Sequence, residues 1–228
     1  MENHNMRLPL VNTFVTPYEV LNTRTLNQDK INTSLESAIY MANVGVDNAL
    51  ENFIDSFLDI DMNYKIWGQK MPYVTPKDLF TFQQQYPSYS INKVDFEINK
   101  IGFTLSDGQY LFHGGLWNEE RGDEFITNKP FSTSFCSQVA FRNAEWNGKA
   151  YDANQIDLLV LRVVNPQTNV FAFKRKGTKM GNEKEVLFSS GARLKLRNRI
   201  FIKNTKAYKG FPTKEKMVPI YVLEVDIS

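Results

Sequence analysis

The chain has 228 residues, of which 42% are hydrophobic and 13% aromatic, so it is long enough to form one large domain with a substantial core. Its formal net charge of +2 does not indicate a general binder of polyanions. The single cysteine, Cys136, excludes an intramolecular disulfide and a cysteine-based metal site, and two histidines are too few for a histidine-rich one. The N-terminus lacks the pattern of a secretory signal, and no window approaches the ~20 apolar residues of a membrane span, so we expect a protein of a reducing cytoplasm.

The first third of the chain carries mainly helical patterns. Residues 1–31 are polar and rich in Asn and Thr, and they predict irregular structure or one short helix. Within 33–69, apolar side chains recur near every 3.6 residues, as on one face of a helix. Thr33 and Glu36 have the spacing of a capping box at its start, and Gly45 is expected to separate two helices or bend one.

A second helix start follows. Thr75 is expected to cap this helix, with Pro76 in its first position, and the helix should end before Pro87. The sequence therefore predicts a helical N-terminal region, 1–95, packed on a core of 96–228 as one continuous domain.

From residue 101 onwards the sequence pattern changes from helical to short strand-like runs separated by turns. One helical segment, 137–146, interrupts them. This arrangement indicates the α+β class rather than an alternating doubly wound fold, and no Gly-x-Gly-x-x-Gly or Walker-type phosphate loop is present. The predicted strands are 108–112, 129–135, 156–164, 170–173, 185–188, 193–202 and 219–225.

Two glutamates two residues apart, Glu183 and Glu185, stand at the start of a short apolar run that ends at Phe188. In a strand, residues i and i+2 point to the same face, so these carboxylates would project side by side, about 7 Å apart. Carboxylates so placed can stabilise a cation and accept a proton. The alternative is an edge strand whose solvent face carries two charges.

Two further features precede the glutamates. One predicted strand ends in His113, Gly114 and Gly115, and glycines there let a ligand approach the backbone closely. The alternative is an ordinary turn, with His113 as a hydrogen-bonded core residue. In the next strand, Ser132 and Ser134 share one face, where small hydroxyls leave room for a ligand and offer donors and acceptors. A serine-rich strand can also simply be exposed.

The order and spacing of these three features resemble the mono-ADP-ribosyltransferase family. Shared with that family are an aromatic plus a basic residue with Gly at the end of a first strand, a Ser-Thr-Ser strand followed by a helix, and Glu-x-Glu before an apolar strand. The resemblance covers residues 110–228 and is closest to the arginine-modifying toxins and to small enzymes of tailed phages. It implies a core of two packed, mainly antiparallel sheets behind a helical N-terminal part, with NAD as a substrate and no metal.

The resemblance also implies an activity and roles for individual residues. The family transfers ADP-ribose from NAD to a protein side chain and releases nicotinamide. Glu185 would act on the NAD ribose, Ser132 would orient Glu185, and Glu183 would deprotonate the incoming nucleophile, which Glu-x-Glu implies to be arginine. The implied NAD-binding residues are His113, Gly114, Ser132, Thr133 and Phe141, with either Phe131 or Phe141 against the nicotinamide ring.

One position departs from the arginine-modifying class, which has Arg where this chain has His113; histidine there is similar to the diphtheria-toxin and polymerase branch. Histidine lacks the bidentate fork with which arginine holds phosphate. Arg121, Arg142 or backbone N–H groups are then expected to hold the pyrophosphate.

Two basic segments bear on partners. The loop 174–179 would face the target protein, in a host cell if the chain is phage-encoded or injected, and its charge predicts an acidic surface beside the modified arginine. The segment 193–216 is also strongly basic, which we interpret as a solvated hairpin. Two alternative functions stay open: NAD glycohydrolysis at the same site, and a nucleic-acid-binding module that uses 193–216.

Overall fold

A computed structural model of the chain describes residues 6–20, 30–117, 122–176 and 180–228. The N-terminal part holds strands β1 (Met6–Leu8), β2 (Tyr18–Glu19) and β3 (Lys30–Ile31) and helices α1 (Ser34–Val44), α2 (Asn48–Ile60), α3 (Met62–Lys70), α4 (Lys77–Gln85) and α5 (Ile91–Ile101). It is followed by β4 (Phe103–Leu105), β5 (Tyr110–Gly115), β6 (Glu124–Ile126), β7 (Phe131–Ser134), α6 (Ser137–Glu145), α7 (Lys149–Ala153), β8 (Ile156–Val163), β9 (Val170–Ala172), β10 (Glu185–Phe188), β11 (Arg193–Lys209) and β12 (Lys214–Ile227).

The first segment is built from short strands, and in its described residues the expected short helix is absent. β1 pairs in parallel with β4, placing Leu8 opposite Leu105, and both side chains are buried. β2 pairs with β3 in an antiparallel arrangement. The partner of β1 lies far away in the sequence, so local composition could not reveal this strand.

The predicted start and end of the first helix are confirmed. The Thr33 hydroxyl accepts a hydrogen bond from the Glu36 N–H at 3.1 Å, as an N-cap residue does. The Glu36 carboxylate reaches back to the N–H of Asn32, at 2.7 Å, one residue earlier than in a standard capping box. Gly45 has a φ of +83° and donates its N–H to the Met41 carbonyl, which ends α1 before α2 begins.

The predicted start of α4 is wrong by one residue. Pro76, not Thr75, occupies the capping position, with an extended backbone and no side-chain cap, because the proline side chain has no atom that can accept an N–H bond. The helix ends at Gln85, before Pro87, as predicted. Helix α5 then continues beyond residue 95 to Gly102, whose left-handed backbone closes it, while the predicted domain boundary itself stays a prediction.

Eight strands form one sheet in the order β6-β11-β12-β8-β5-β7-β10-β9. Its neighbouring strands run antiparallel except for β8 and β12, which confirms the α+β class and the mainly antiparallel sheet. β5 and β7 share a single residue pair, Phe112 with Ser134. The two expected sheets meet at this pair and form one continuous sheet.

The hairpin of β11 and β12 is much longer than the predicted strands 193–202 and 219–225. Beyond the sheet its residues pair with one another, for example Lys206 with Met217 and Tyr208 with Glu215. These side chains are mostly exposed, so hydrophobic alternation could not mark their strands.

One hydrophobic cluster joins the N-terminal helices to the sheet. It includes Leu50 of α2, Trp67 of α3 and Leu79 of α4 together with Leu187 of β10 and Val222 of β12. Within the described part of the chain, no helix combines the length and apolar character needed to cross a bilayer.

Helix α6 crosses β5 at very short range. A Cβ atom on Gly114 would lie 1.7 Å from the Ala140 carbonyl oxygen, closer than any real contact. The sequence interpretation, that this glycine gives a ligand access to the backbone, therefore needs correction: the space beside Gly114 is filled by α6.

Candidate active site

Three of the predicted site residues come together where β5, β7 and β10 lie side by side. In the β7–β10 register Ser134 is opposite Glu185, which makes Ser132 and Glu185 diagonal neighbours on one face. The Ser132 hydroxyl donates a hydrogen bond to Glu185 Oε1 at 2.6 Å. On the other side, His113 Nδ1 lies 2.7 Å from the Ser132 carbonyl oxygen. The predicted interaction between Ser132 and Glu185 is therefore present as a direct hydrogen bond.

The two glutamates are not in one strand, so their predicted strand geometry is wrong. Glu183 ends a 3-10 turn, Gly181–Glu183, and Lys184 takes a left-handed backbone with a φ of +51°. The strand begins only at Glu185. The negative charge of Glu183 still contributes to the raised pKa of Glu185.

Glu185 is 5% exposed, and it titrates near neutral pH. Burial raises its pKa to about 7, mainly because a carboxylate loses solvation inside the protein; the negative Glu183 adds to the rise. Hydrogen bonds from Ser132 and Gln83 oppose it. Burial also raises the pKa of Glu183. A carboxyl that titrates near pH 7 can act as a base or as an anion in the working range of most enzymes.

Gln83 is a site residue that the sequence interpretation missed. Its Nε2 donates to Glu185 Oε2 at 3.2 Å, so the two oxygens of this carboxyl are held by different elements, β7 and α4. The signal in the sequence is slight: Gln83 follows the buried Leu79 by one helical turn and therefore shares its face.

His113 is held in a defined orientation. Because the Ser132 carbonyl oxygen can only accept, Nδ1 carries a hydrogen and donates it. The imidazole also contacts the Phe131 ring, with 4.3 Å between ring centroids. A Cβ atom on Gly115 would lie 2.5 Å from His113 Nε2, so this glycine leaves the space that the imidazole occupies.

The remaining serine and two predicted NAD-binding residues are engaged within the fold. Ser134 donates to the Glu183 carbonyl oxygen at 2.7 Å and accepts from the Cys136 N–H at 3.0 Å. The Thr133 hydroxyl donates to the Val186 carbonyl at 2.6 Å. Phe141 lies in α6 and is buried. NAD binding by Thr133 and Phe141 stays a prediction.

The arginines expected to hold a pyrophosphate lie elsewhere or outside the described residues. Arg142 pairs with Glu51 of α2. Arg121 falls outside the described ranges. How this site would hold a pyrophosphate stays a prediction.

The described part of the basic loop faces α2. Arg175 lies 2.5 Å from Asp55 and 2.8 Å from Asp59, and its side chain is 10% exposed. Lys176 lies 3.0 Å from Asp59. Residues 177–179 of this loop are outside the described ranges. The ion pairs neutralise charges on which the acidic-partner prediction rests, and that prediction remains untested.

Several basic residues of the β11–β12 hairpin form ion pairs, which favours the solvated hairpin over a nucleic-acid surface. Lys206 lies 3.1 Å from Glu215, across the hairpin. Further pairs are Arg193–Glu124, Arg197–Asp226, Arg199–Asp157 and Lys209–Asp152.

Metal and thiol chemistry have weak support among the described residues. They contain no group of three or more His, Cys, Asp or Glu side chains placed to hold a metal ion. Cys136 is fully buried, and burial raises the pKa of its thiol, which disfavours the reactive thiolate.

No family model matches the sequence, and no curated protein matches it significantly. Among solved structures, it is similar to the Vis toxin, an ADP-ribosyltransferase from Vibrio splendidus, at 15% identity over 91% of each chain and a TM-score of 0.37. It is also similar to C3larvin, an ADP-ribosyltransferase toxin from Paenibacillus larvae, at 11% identity over 74% of this chain and 94% of that one, with a TM-score of 0.39. The enzymatic component of the C2 toxin from Clostridium botulinum gives 8% identity and a TM-score of 0.39, over 72% of this chain and 45% of that one.

Proposed function

We propose that the chain transfers ADP-ribose from NAD to a protein side chain, an arginine, and releases nicotinamide. The observation that carries the proposal is a buried glutamate, Glu185, which accepts a hydrogen bond from Ser132 at 2.6 Å. The charge of a second carboxyl, Glu183, helps to raise its pKa. In the reaction the bond between C1′ and the nicotinamide nitrogen breaks, and its electron pair stays on the leaving nicotinamide. The ribose becomes an oxocarbenium-like cation, to which the acceptor nitrogen then bonds.

Glu185 is suited to stabilise that cation. A carboxylate aimed at a charge that forms only in the transition state lowers the barrier without tightening substrate binding. Its low exposure strengthens this effect, because electrostatic interactions are stronger where water is excluded. The Ser132 hydroxyl occupies Oε1 and fixes the orientation of the carboxyl. NAD brings a positive pyridinium ring, which favours the ionised form of Glu185.

Glu183 is suited to take the proton that the acceptor loses. The guanidinium pKa exceeds 12, so its proton is removed only as the new bond to C1′ forms. A base with a raised pKa holds that proton better, and burial raises the pKa of Glu183. We assign contact with NAD to His113, Ser132, Thr133 and Phe141, with Phe131 as the other candidate for the nicotinamide ring.

The test is incubation of the full chain with host lysate and NAD labelled in its adenylate part, with separate measurement of released nicotinamide. We expect a labelled protein band whose label maps to an arginine by mass spectrometry. Glu185→Ala should abolish both signals, and Glu183→Gln should abolish labelling while nicotinamide release continues. Glu215→Gln, in an exposed ion pair, is the matched control and should behave as wild type.

Two outcomes would contradict the proposal. Nicotinamide release by wild type without any labelled protein indicates glycohydrolysis, in which water replaces the acceptor. Absence of both signals removes NAD as the substrate.

A further inference from the structure

Helix α2 carries a stripe of three carboxylates, Glu51, Asp55 and Asp59, each one helical turn after the last. The stripe faces the loop that leads into Glu185. Lys184 Nζ lies 3.0 Å from Glu51 and 3.2 Å from Asp55. Arg175 joins the next pair, Asp55 and Asp59. The loop between β9 and β10 is thus fastened to α2 near both of its ends.

Lys184 is the most deeply placed of these cations. Its side chain is fully buried, and its ammonium also donates to the Asn182 carbonyl oxygen at 2.8 Å. A buried ammonium is retained only where partners satisfy it, and here α2 supplies the carboxylates. Its backbone is left-handed, a conformation that side-chain-bearing residues keep only when the surroundings impose it.

The two glutamates depend on Lys184 to different degrees. Glu185 lies in β10, and its carboxyl is held by Ser132 and Gln83. Glu183 lies in the 3-10 turn that ends at the left-handed Lys184, and Ser134 restrains its backbone by donating a hydrogen bond to its carbonyl oxygen. Loss of the tether to α2 would therefore move Glu183 more than Glu185.

We infer that Lys184, fastened to Glu51 and Asp55, is a positioning residue that sets where Glu183 meets the acceptor. The inference rests on the proposed function and deepens it. In that reaction the cleavage of NAD requires Glu185, whereas transfer to a protein also requires Glu183. The tether therefore controls how the reactive ribose is divided between the protein acceptor and water.

The test measures, in the full chain, the ratio of protein labelling to nicotinamide release for wild type and Lys184→Met, which keeps length and removes the charge. We expect the ratio to fall about tenfold while nicotinamide release stays within about threefold of wild type. Lys184→Arg, which retains a cation for the same carboxylates, should recover part of the ratio. Arg7→Gln, which breaks the exposed pair with Asp107, is the matched control and should leave the ratio unchanged.

A second variant guards against loss of folding. Lys184→Met removes a buried cation from beside Glu51 and Asp55, which keep Arg142 and Arg175 as cationic partners, so we pair it with Lys184→Met/Glu51→Gln, which also removes one of the facing negative charges. The double variant should show the same fall in ratio. An unchanged ratio in either folded variant, or an equal fall in both signals, overturns the inference. Absence of labelling by wild type is a different failure, that of the proposed function.

Discussion

Replacing Glu185 with glutamine should stabilise the protein at neutral and alkaline pH while removing activity. Burial raises the pKa of Glu185 from its ordinary 4.5 to about 7. The native state then binds this proton more tightly than the unfolded chain, so between these pH values the free energy of unfolding falls as pH rises. A pKa difference of one corresponds to about 1.4 kcal/mol, so the rise to about 7 corresponds to about 3 kcal/mol by pH 8.

Urea unfolding of wild type and Glu185→Gln at intervals between pH 4 and pH 8 measures this effect. Glutamine is neutral throughout this pH range. Titratable groups common to both proteins largely cancel in the difference between their free energies of unfolding. Between pH 4 and pH 8, we expect the free energy of unfolding of the variant to rise by about 3 kcal/mol relative to that of wild type. Near pH 4 the difference should reflect only the exchanged hydrogen bonds to Ser132 and Gln83.

The exposed Glu215→Gln serves as the control, since its surface pair with Lys206 contributes at most about 1 kcal/mol. A difference for Glu185→Gln that does not change with pH would refute the reasoning. It would mean that the Glu185 carboxylate is as well solvated in the native protein as in the unfolded chain. The assignment of Glu185 as a desolvated anion at the reacting carbon would then lose its physical basis.

Three further outcomes follow from the same structure. The kcat/KM for nicotinamide release should rise with pH and level off above about pH 7, as Glu185 ionises. In Ser132→Ala this rise should move to higher pH, since the Ser132 bond favours the ionised carboxyl; an unmoved profile would separate Ser132 from Glu185. Gly114→Ala should lose about 3 kcal/mol or more in urea unfolding, because its methyl group meets the Ala140 carbonyl. Gly68→Ala, where a Cβ meets nothing within 4 Å in a helix, should gain up to about 1 kcal/mol, and equal effects at both glycines would contradict the close approach of α6.

Local signals in the sequence predicted the parts of the fold that local interactions determine. The Thr33 cap depends on a donor three residues away, and the end of α1 depends on the positive φ of Gly45. The alternation of β7 placed Ser132 and Ser134 on one face, and the apolar run 185–188 matched β10. In each case the deciding partner lies within a few residues or follows from the period of the strand.

The features that the sequence did not reveal depend on distant partners. Lys184 has a left-handed backbone, and the partner of its ammonium group, Glu51, is 133 positions away. Local sequence therefore predicted, wrongly, that Glu183 lies in the same strand as Glu185. Gln83 lies 102 positions from Glu185 and belongs to a helix with no catalytic motif. The length of the β11–β12 hairpin depends on pairing between polar segments outside the core.

These distant contacts have a common origin in the N-terminal helices. Helix α4 holds one oxygen of Glu185 through Gln83, and helix α2 holds the residue between the two glutamates through Glu51 and Asp55. Without α2, the fully buried Lys184 would lose the carboxylates that make its burial tolerable. Without α4, Glu185 would lose a donor that opposes its raised pKa. The motifs on β5, on β7 and at the start of β10 supply the residues of the proposed site, and the N-terminal helices, in which the sequence shows only a core pattern, supply the contacts to Glu185 and Lys184.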